Sequence, residues 1–306
     1  MQSLSRGWAF LQQAWQMALK DKDLIKPSIF ALVTGMIVSV LGVIPIIGAY
    51  LLFGDTDFGN ILVWVLGAIL VFAQFVVSYI FSGMTAYLIY GYLAEGDGRL
   101  DKAWAIVQRD FVDILTLAAV STAVNLLRSA AQRNRRGGAM AAGMARTATG
   151  LFQTLWTEAA FLVLPAMVID DLNLQAALQR VWNITRENLL LIGISTVGVR
   201  FVTGLIGFLL AVAGAVLGLG VGYGIIAASG SETAGIVIGI GLGVLIFFTF
   251  ITIASVISSY TGTAYHTCLY LWARDVEKAK AAGKSIQVAA PAPLAAVLRT
   301  PVGNAA

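Results

Sequence analysis

Three times along this chain a short amphipathic stretch runs directly into a long apolar hairpin. A run of roughly 20 apolar residues crosses the hydrocarbon core of a bilayer as one helix. In lipid a spanning segment must satisfy its own backbone hydrogen bonds, which a helix does. The pattern therefore predicts an all-α, polytopic membrane helical bundle. It has about six transmembrane helices and three interfacial amphipathic helices in parallel pseudo-repeats. Composition agrees: 58% of the residues are apolar and 12% charged, where soluble domains carry about 25% charge. The net charge of +4 then reports orientation rather than a nucleic-acid partner.

Six spans are predicted, near 27–53, 59–93, 113–131, 148–170, 188–218 and 235–273. The first opens at Pro27, a favoured helix-start residue, and ends at the acidic turn Gly54-Asp55-Thr56-Asp57. The second would be about 52 Å long as one helix, so it must tilt or project beyond lipid. Pro165 either kinks the fourth span or ends it before Asp170. The units 3–93, 99–170 and 172–273 form one membrane domain, 1–284.

The stretches ahead of spans one, three and five share a spacing. Leu4, Trp8, Leu11, Trp15 and Ala18 fall on one helical stripe, and Leu100, Trp104, Val107, Phe111 and Ile114 repeat it. Leu174, Leu178 and Val181, with Trp182 beside them, begin the same pattern before Thr185 and Asn188 break it. Such stripes suit helices lying in the membrane interface, with Trp8, Trp15, Trp104, Trp182 and Trp272 as aromatic anchors. The alternative is that each stretch is the extension of the span that follows. Each unit holds an even number of spans, so the units repeat in parallel.

Fourteen Lys and Arg fall on the side of the termini and five on the other, with Arg200 inside a span. The positive-inside bias puts both termini in the cytoplasm, and the expected location is a bacterial inner membrane. The Arg133-Asn134-Arg135-Arg136 cluster then sits awkwardly on the outer face. Residues 285–306, rich in Ala and Pro, read as a cytoplasmic tail that would be disordered alone. Residues 1–26 lack the basic start and apolar core of an export signal.

Few residues could carry chemistry. Glu158 lies near the middle of span four and Arg200 near the middle of span five. Charges at that depth are costly and usually paired, so a Glu158–Arg200 ion pair is expected. It would either pin two helices or line a proton or ion pathway. Gln74 and Asn125 read as interhelical hydrogen-bond glue. His266 and Cys268 stand about 200° apart on a helix and cannot share a metal; His266 reads as a packing histidine. One cysteine and one histidine leave no disulfide, metal cluster or hydrolytic triad to expect, and no cofactor. Gly214, Gly218 and Gly222, like Gly235, Gly239 and Gly243, fall four apart. These ladders let helix backbones approach closely, in a tight hairpin or an oligomer seam. Neither has phosphate-loop context.

The N-terminal Ser5-Arg6-Gly7-Trp8, then Ala14-Trp15 and Lys20-Asp21-Lys22-Asp23-Leu24, resembles the opening of a bacterial family of multi-helix membrane proteins of unassigned function. Its second mark is Phe161-Leu162-Val163-Leu164-Pro165-Ala166-Met167-Val168-Ile169, an acidic turn, and Ala176-Ala177-Leu178-Gln179-Arg180. The likeness covers most of 3–215 and implies no catalytic residues. Where it implies a neutral residue, this chain has Glu158. The function expected is a non-enzymatic accessory or scaffold subunit that contacts membrane lipids and other subunits or itself. The alternative is a transporter or channel using Glu158 and Arg200.

Overall fold

The computed structural model describes residues 2–54, 56–133, 139–230, 232–283 and 288–298. Among these it is an all-α polytopic helical bundle. The helices are α1 (Gln2–Lys20), α2 (Lys26–Phe53), α3 (Asp57–Glu95), α4 (Leu100–Arg109), α5 (Phe111–Arg133), α6 (Ala139–Asp170), α7 (Leu174–Ala228), α8 (Thr233–Ala281) and α9 (Ala292–Leu298). Six stretches are long and apolar enough to cross a membrane: Lys22–Phe53, Asp57–Glu95, Phe111–Ala131, Phe152–Asp170, Phe201–Ala228 and Thr233–Ala281.

Local chemistry sets the boundaries. Asp21 caps a short 3-10 turn, Lys22–Leu24, by accepting from the Asp23 N–H. Pro27 opens α2, where its missing N–H costs nothing. The Thr56 hydroxyl caps α3 on the Gly59 N–H at 2.9 Å. Gly96 closes α3 in the left-handed region, φ 82°, where a side chain would be strained. Pro165 neither ends α6 nor precedes a break; the helix continues to Asp170.

The helices form three antiparallel hairpins, α2/α3, α5/α6 and α7/α8, with α3 central against α2, α4, α5, α6 and α8. The core is concentrated at one end. There Leu88 and Ile89 of α3, Ile114 and Leu117 of α5, and Leu164 and Met167 of α6 are fully buried with Tyr260, Tyr265 and Tyr270 of α8. From this inner bundle the rest of α2/α3 and α7/α8 extends outward, carrying exposed side chains such as Leu51, Leu52, Leu219 and Leu245. Helix α7 has 55 residues, about 82 Å, and α8 has 49, about 74 Å. Both far exceed the roughly 30 Å hydrocarbon core, which is why each has an exposed apolar half and a half inside the bundle.

Three expectations need correction. The amphipathic stretch before span five is no separate interfacial helix. It is the first part of an unbroken α7, and the apolar segment begins at Phe201 rather than 188. No cap residue interrupts 174–200 as Asp21 and Asp110 interrupt the other two units. The C-terminal segment is not a free tail. Residues 288–298 pack on α1, burying Ala290, Leu294, Ala295 and Val297. Trp272 is no surface anchor either, but lies buried in the core. Trp8, Trp104 and Trp182 do lie at the surface, while Trp15 packs edge-on against Tyr260 at 5.7 Å. Helix α1 turns Gly7, Phe10, Leu11, Ala14, Met17 and Ala18 into the protein, and Trp8 and Leu19 lie on the adjoining exposed flank. The Arg135-Arg136 part of the basic cluster falls outside the described residues.

The glycine ladders resolve as a tight hairpin. A Cβ on Gly243 would stand 2.6 Å from the Gly218 carbonyl oxygen, and one on Gly222 would stand 2.8 Å from that of Gly239. Gly214 meets Phe250 across the same seam. Gly235 instead abuts Ser229 in the connecting turn. Gly241, two residues from Gly243, has open space where its Cβ would be. Gly243→Ala should therefore force the backbones apart and cost about 1–3 kcal/mol. Gly241→Ala should be neutral or mildly stabilising, since alanine favours helix. Thermal unfolding of both variants in the same detergent tests this; equal Tm values would contradict the seam.

Candidate functional site

One face of α8 carries His266, Tyr270, Arg274 and Glu277 at helical spacing, and the facing segments of α6 and α7 answer each of them. The Tyr270 O–H donates to Asp170 Oδ2 at 2.5 Å, and Arg274 Nη1 donates to Asp170 Oδ1 at 3.1 Å. Arg274 also lies over the Tyr90 ring of α3, 5.7 Å from its centroid. From α7, Arg180 reaches Glu277 at 3.1 Å through Nη2 and stands 3.7 Å from Asp170 through Nε. A single carboxylate, only 18% exposed, thus gathers α6, α7 and α8.

The turn below is built to hold that carboxylate. Asp171 ends α6 with φ 55°, a left-handed conformation that Asp tolerates better than bulkier residues. Its carboxylate pairs with Arg109 Nη2 at 3.0 Å. Arg109 also donates to Asp110 at 2.7 and 3.0 Å. The hydrogen bonds it donates to the Asp110 carboxylate raise the pKa of the Arg109 guanidinium above its usual value, so this clamp on α4 stays charged. The Asn173 side chain caps α7 on the Ala176 N–H at 2.9 Å, and Asp113 of α5 accepts the Leu174 N–H at 3.3 Å. Negative groups at a helix N-terminus meet its unpaired N–H groups and positive dipole end.

Farther along α6, Glu158 Oε2 lies 2.9 Å from His266 Nε2, and His266 Nδ1 lies 2.7 Å from the Gly262 carbonyl oxygen. A carbonyl can only accept, so Nδ1 carries a hydrogen. Phe161, one turn beyond Glu158 on the same helix, stacks on the imidazole with centroids 5.1 Å apart. Tyr265 meets the ring edge-on at 5.3 Å and is itself packed edge-on by Phe10 of α1 at 5.5 Å. Trp156 points elsewhere: its N–H donates to Ser121 Oγ at 2.9 Å, where the Tyr79 hydroxyl also bonds at 2.7 Å. That node fixes α6 to α3 and α5, leaving Glu158 aimed at α8.

The expected Glu158–Arg200 pair falls outside the described residues, because the Arg200 side chain is not among them. A partner of Glu158 that sequence reasoning missed is His266. Its signal was the His266, Tyr270, Arg274 spacing, which marks one polar face on an otherwise apolar helix. Gln74 does act as interhelical glue, donating to the Gly35 carbonyl at 2.9 Å and to Ser39 Oγ at 2.8 Å. Among the described residues no group of three or more His, Cys, Asp and Glu could hold a metal ion. Cys268 is a buried thiol. Two apolar grooves could take a lipid chain. One, of about 520 Å³, follows the α7/α8 glycine seam; the other, of about 490 Å³, is lined by Phe30, Phe81 and Trp104.

The segment that carries the resemblance, 161–180, supplies Phe161, Asp170 and Arg180 to this face, so its spacing has a structural cause. No family model matches the chain, and no curated protein matches it.

Removing one member of a buried charge pair leaves the other uncompensated, at a cost of roughly 3–5 kcal/mol. Arg274→Met should therefore destabilise the protein by about 3 kcal/mol, given the remaining contacts of Asp170. Arg274→Met combined with Asp170→Leu should cost less than the two single changes added together. Unfolding of the three variants in detergent gives the coupling; strict additivity would refute the pairing.

Proposed function

We propose that this protein is a non-enzymatic membrane scaffold: an accessory subunit that holds lipid and partner helices around a rigid inner bundle. The observation that carries the proposal is the direct engagement of its buried charges by other side chains. Asp170 is held by Tyr270 and Arg274, and Glu158 by His266. Direct pairs of this kind fix helices against one another. The outward halves of α2/α3 and α7/α8 offer broad apolar surface for lipid or for the helices of another subunit. In this proposal both termini are cytoplasmic and the membrane is a bacterial inner membrane, as the distribution of Lys and Arg favours. The opening motif and the 161–180 segment support membership of the multi-helix family they resemble.

Purification from native membranes in a gentle detergent, followed by mass spectrometry, tests the proposal. A stoichiometric companion protein that recurs between preparations is expected. A chain that emerges alone, and that alone conducts ions or solute in vesicles, would overturn it.

A second reading, transport or conduction, is favoured by one observation: Glu158 meets a titratable side chain inside the helical core. Intramembrane ionisable residues often mark proton or ion pathways. Under that reading Glu158→Gln abolishes flux in liposomes while thermal stability is kept. Flux equal to that of the wild type would exclude Glu158 from any pathway.

A further inference from the structure

We infer that the groove between α2, α3 and α4 is a binding site for one zwitterionic phospholipid whose headgroup carries a primary ammonium. Its lining separates it from the groove on the α7/α8 seam, where only glycine, aliphatic and aromatic residues meet the space. The groove of about 490 Å³ adds to Phe30, Phe81 and Trp104 the Thr34 hydroxyl and the Asp101 carboxylate. Small-molecule sites are clefts of roughly 300–1,000 Å³, mostly apolar, with a few placed polar groups that fix orientation.

The groove is polarised in the same sense as a lipid. Its carboxylate comes from α4. Along α2 the way outward is apolar, because Val33, Ile37, Val40 and Ile44 follow one another at helical spacing and all are exposed. Trp104, also exposed, joins an apolar ring to one N–H donor and so suits the level of lipid headgroups. A headgroup at Asp101 therefore lays its acyl chain along the α2 stripe.

Charge decides which headgroup fits. Lys26, Arg99 and Lys102 are the cations within four positions of a lining residue. Each already has a carboxylate: Lys26 meets Asp23 at 2.5 Å, Arg99 meets Asp101 at 2.7 Å and Lys102 meets Glu95 at 3.3 Å. The mouth thus holds alternating charges rather than a net positive field for an anionic lipid. The Arg99 and Asp101 side chains are 50% and 67% exposed, and an ion pair so exposed contributes little to stability. A headgroup can enter between its members. Its phosphate accepts from the Arg99 guanidinium, a geometry that suits phosphate, and its ammonium donates to Asp101. An anionic headgroup makes the first contact but sets uncompensated negative charge beside Asp101. This assignment names the lipid of the scaffold reading and rests on that reading's placement of lipid against α2/α3.

The full chain, stripped of lipid in detergent, is titrated with phosphatidylethanolamine, phosphatidylglycerol or phosphatidylcholine bearing identical acyl chains, and native mass spectrometry counts the bound lipid. One phosphatidylethanolamine per chain should bind about tenfold more tightly than phosphatidylglycerol, the scale of one charge-assisted hydrogen bond. Asp101→Asn should remove that preference, and Trp104→Ala should weaken all three lipids. Phe248→Ala, in the groove on the other hairpin, should leave the preference as it is.

The wild-type series needs no variant, so the test survives if Asp101→Asn fails to fold. Phosphatidylglycerol binding as tightly as phosphatidylethanolamine would overturn the inference. So would phosphatidylcholine doing the same, since its quaternary nitrogen has no N–H for Asp101. A preference that persists in Asp101→Asn, or disappears in Phe248→Ala, would place the lipid elsewhere and overturn it too. A second copy or a companion chain that is released by Trp104→Ala would give the groove to protein instead. The scaffold reading stands or falls separately, because partner capture from native membranes does not depend on which lipid binds.

Discussion

A polar face on a helix that also runs through lipid is tolerable only if neighbouring helices answer every group on it. Helix α8 is built around that constraint. Its outer half is glycine, aliphatic and phenylalanine with a few small polar residues, while its inner half carries His266, Tyr270, Arg274 and Glu277 down one side. Helices α6 and α7 must lie where Glu158, Asp170 and Arg180 can reach that side. The orientation of α6 then follows, because Trp156 turns to Ser121 on the opposite face. The Asp171 turn follows too, since α6 must end just past Asp170 for α7 to start within reach of Glu277.

Along one helix pair two different forces therefore operate. At the outer end of α7/α8 the backbones nearly touch at Gly218 and Gly243, and dispersion over a close seam holds them. Lipid tails are as apolar as leucine, so apolar burial contributes little to association there. At the inner end, contact comes from hydrogen bonds, ion pairs and rings such as Phe10 on Tyr265. The C-terminal segment adds Leu294 and Val297 to that end. The long α3 plays both parts, with Gln74 bonded to α2 in its outer half and Tyr79 bonded to Ser121 further in.

Features set by local chemistry were legible in the sequence: the six apolar runs, the opening at Pro27, the turn before Thr56 and the spacing of the glycines. Each depends on residues within a few turns of one another. What escaped depends on which helices adjoin. His266 read as a packing histidine because nothing near it in sequence answers it, yet it meets Glu158 from 108 positions away. Trp272 was placed by residue type, but its face of α8 is turned into the core. The Ala- and Pro-rich end looked disordered by composition, yet a short helix of small residues can seat on α1, whose own buried face holds Gly7, Ala14 and Ala18. The unbroken α7 could have been recognised, because nothing between 174 and 200 caps or breaks a helix as Asp21 and Asp110 do.

The two polar centres on α8 lie at different levels of the same helix. At one, Asp170 is balanced by arginines that remain charged at any physiological pH, so it ties α7 and α8 to α6 throughout that range. At the other, His266 meets Glu158 of α6. Two contacts at separate levels of one helix fix it in rotation as well as in position, and the apolar half of α8 departs from that fixed base.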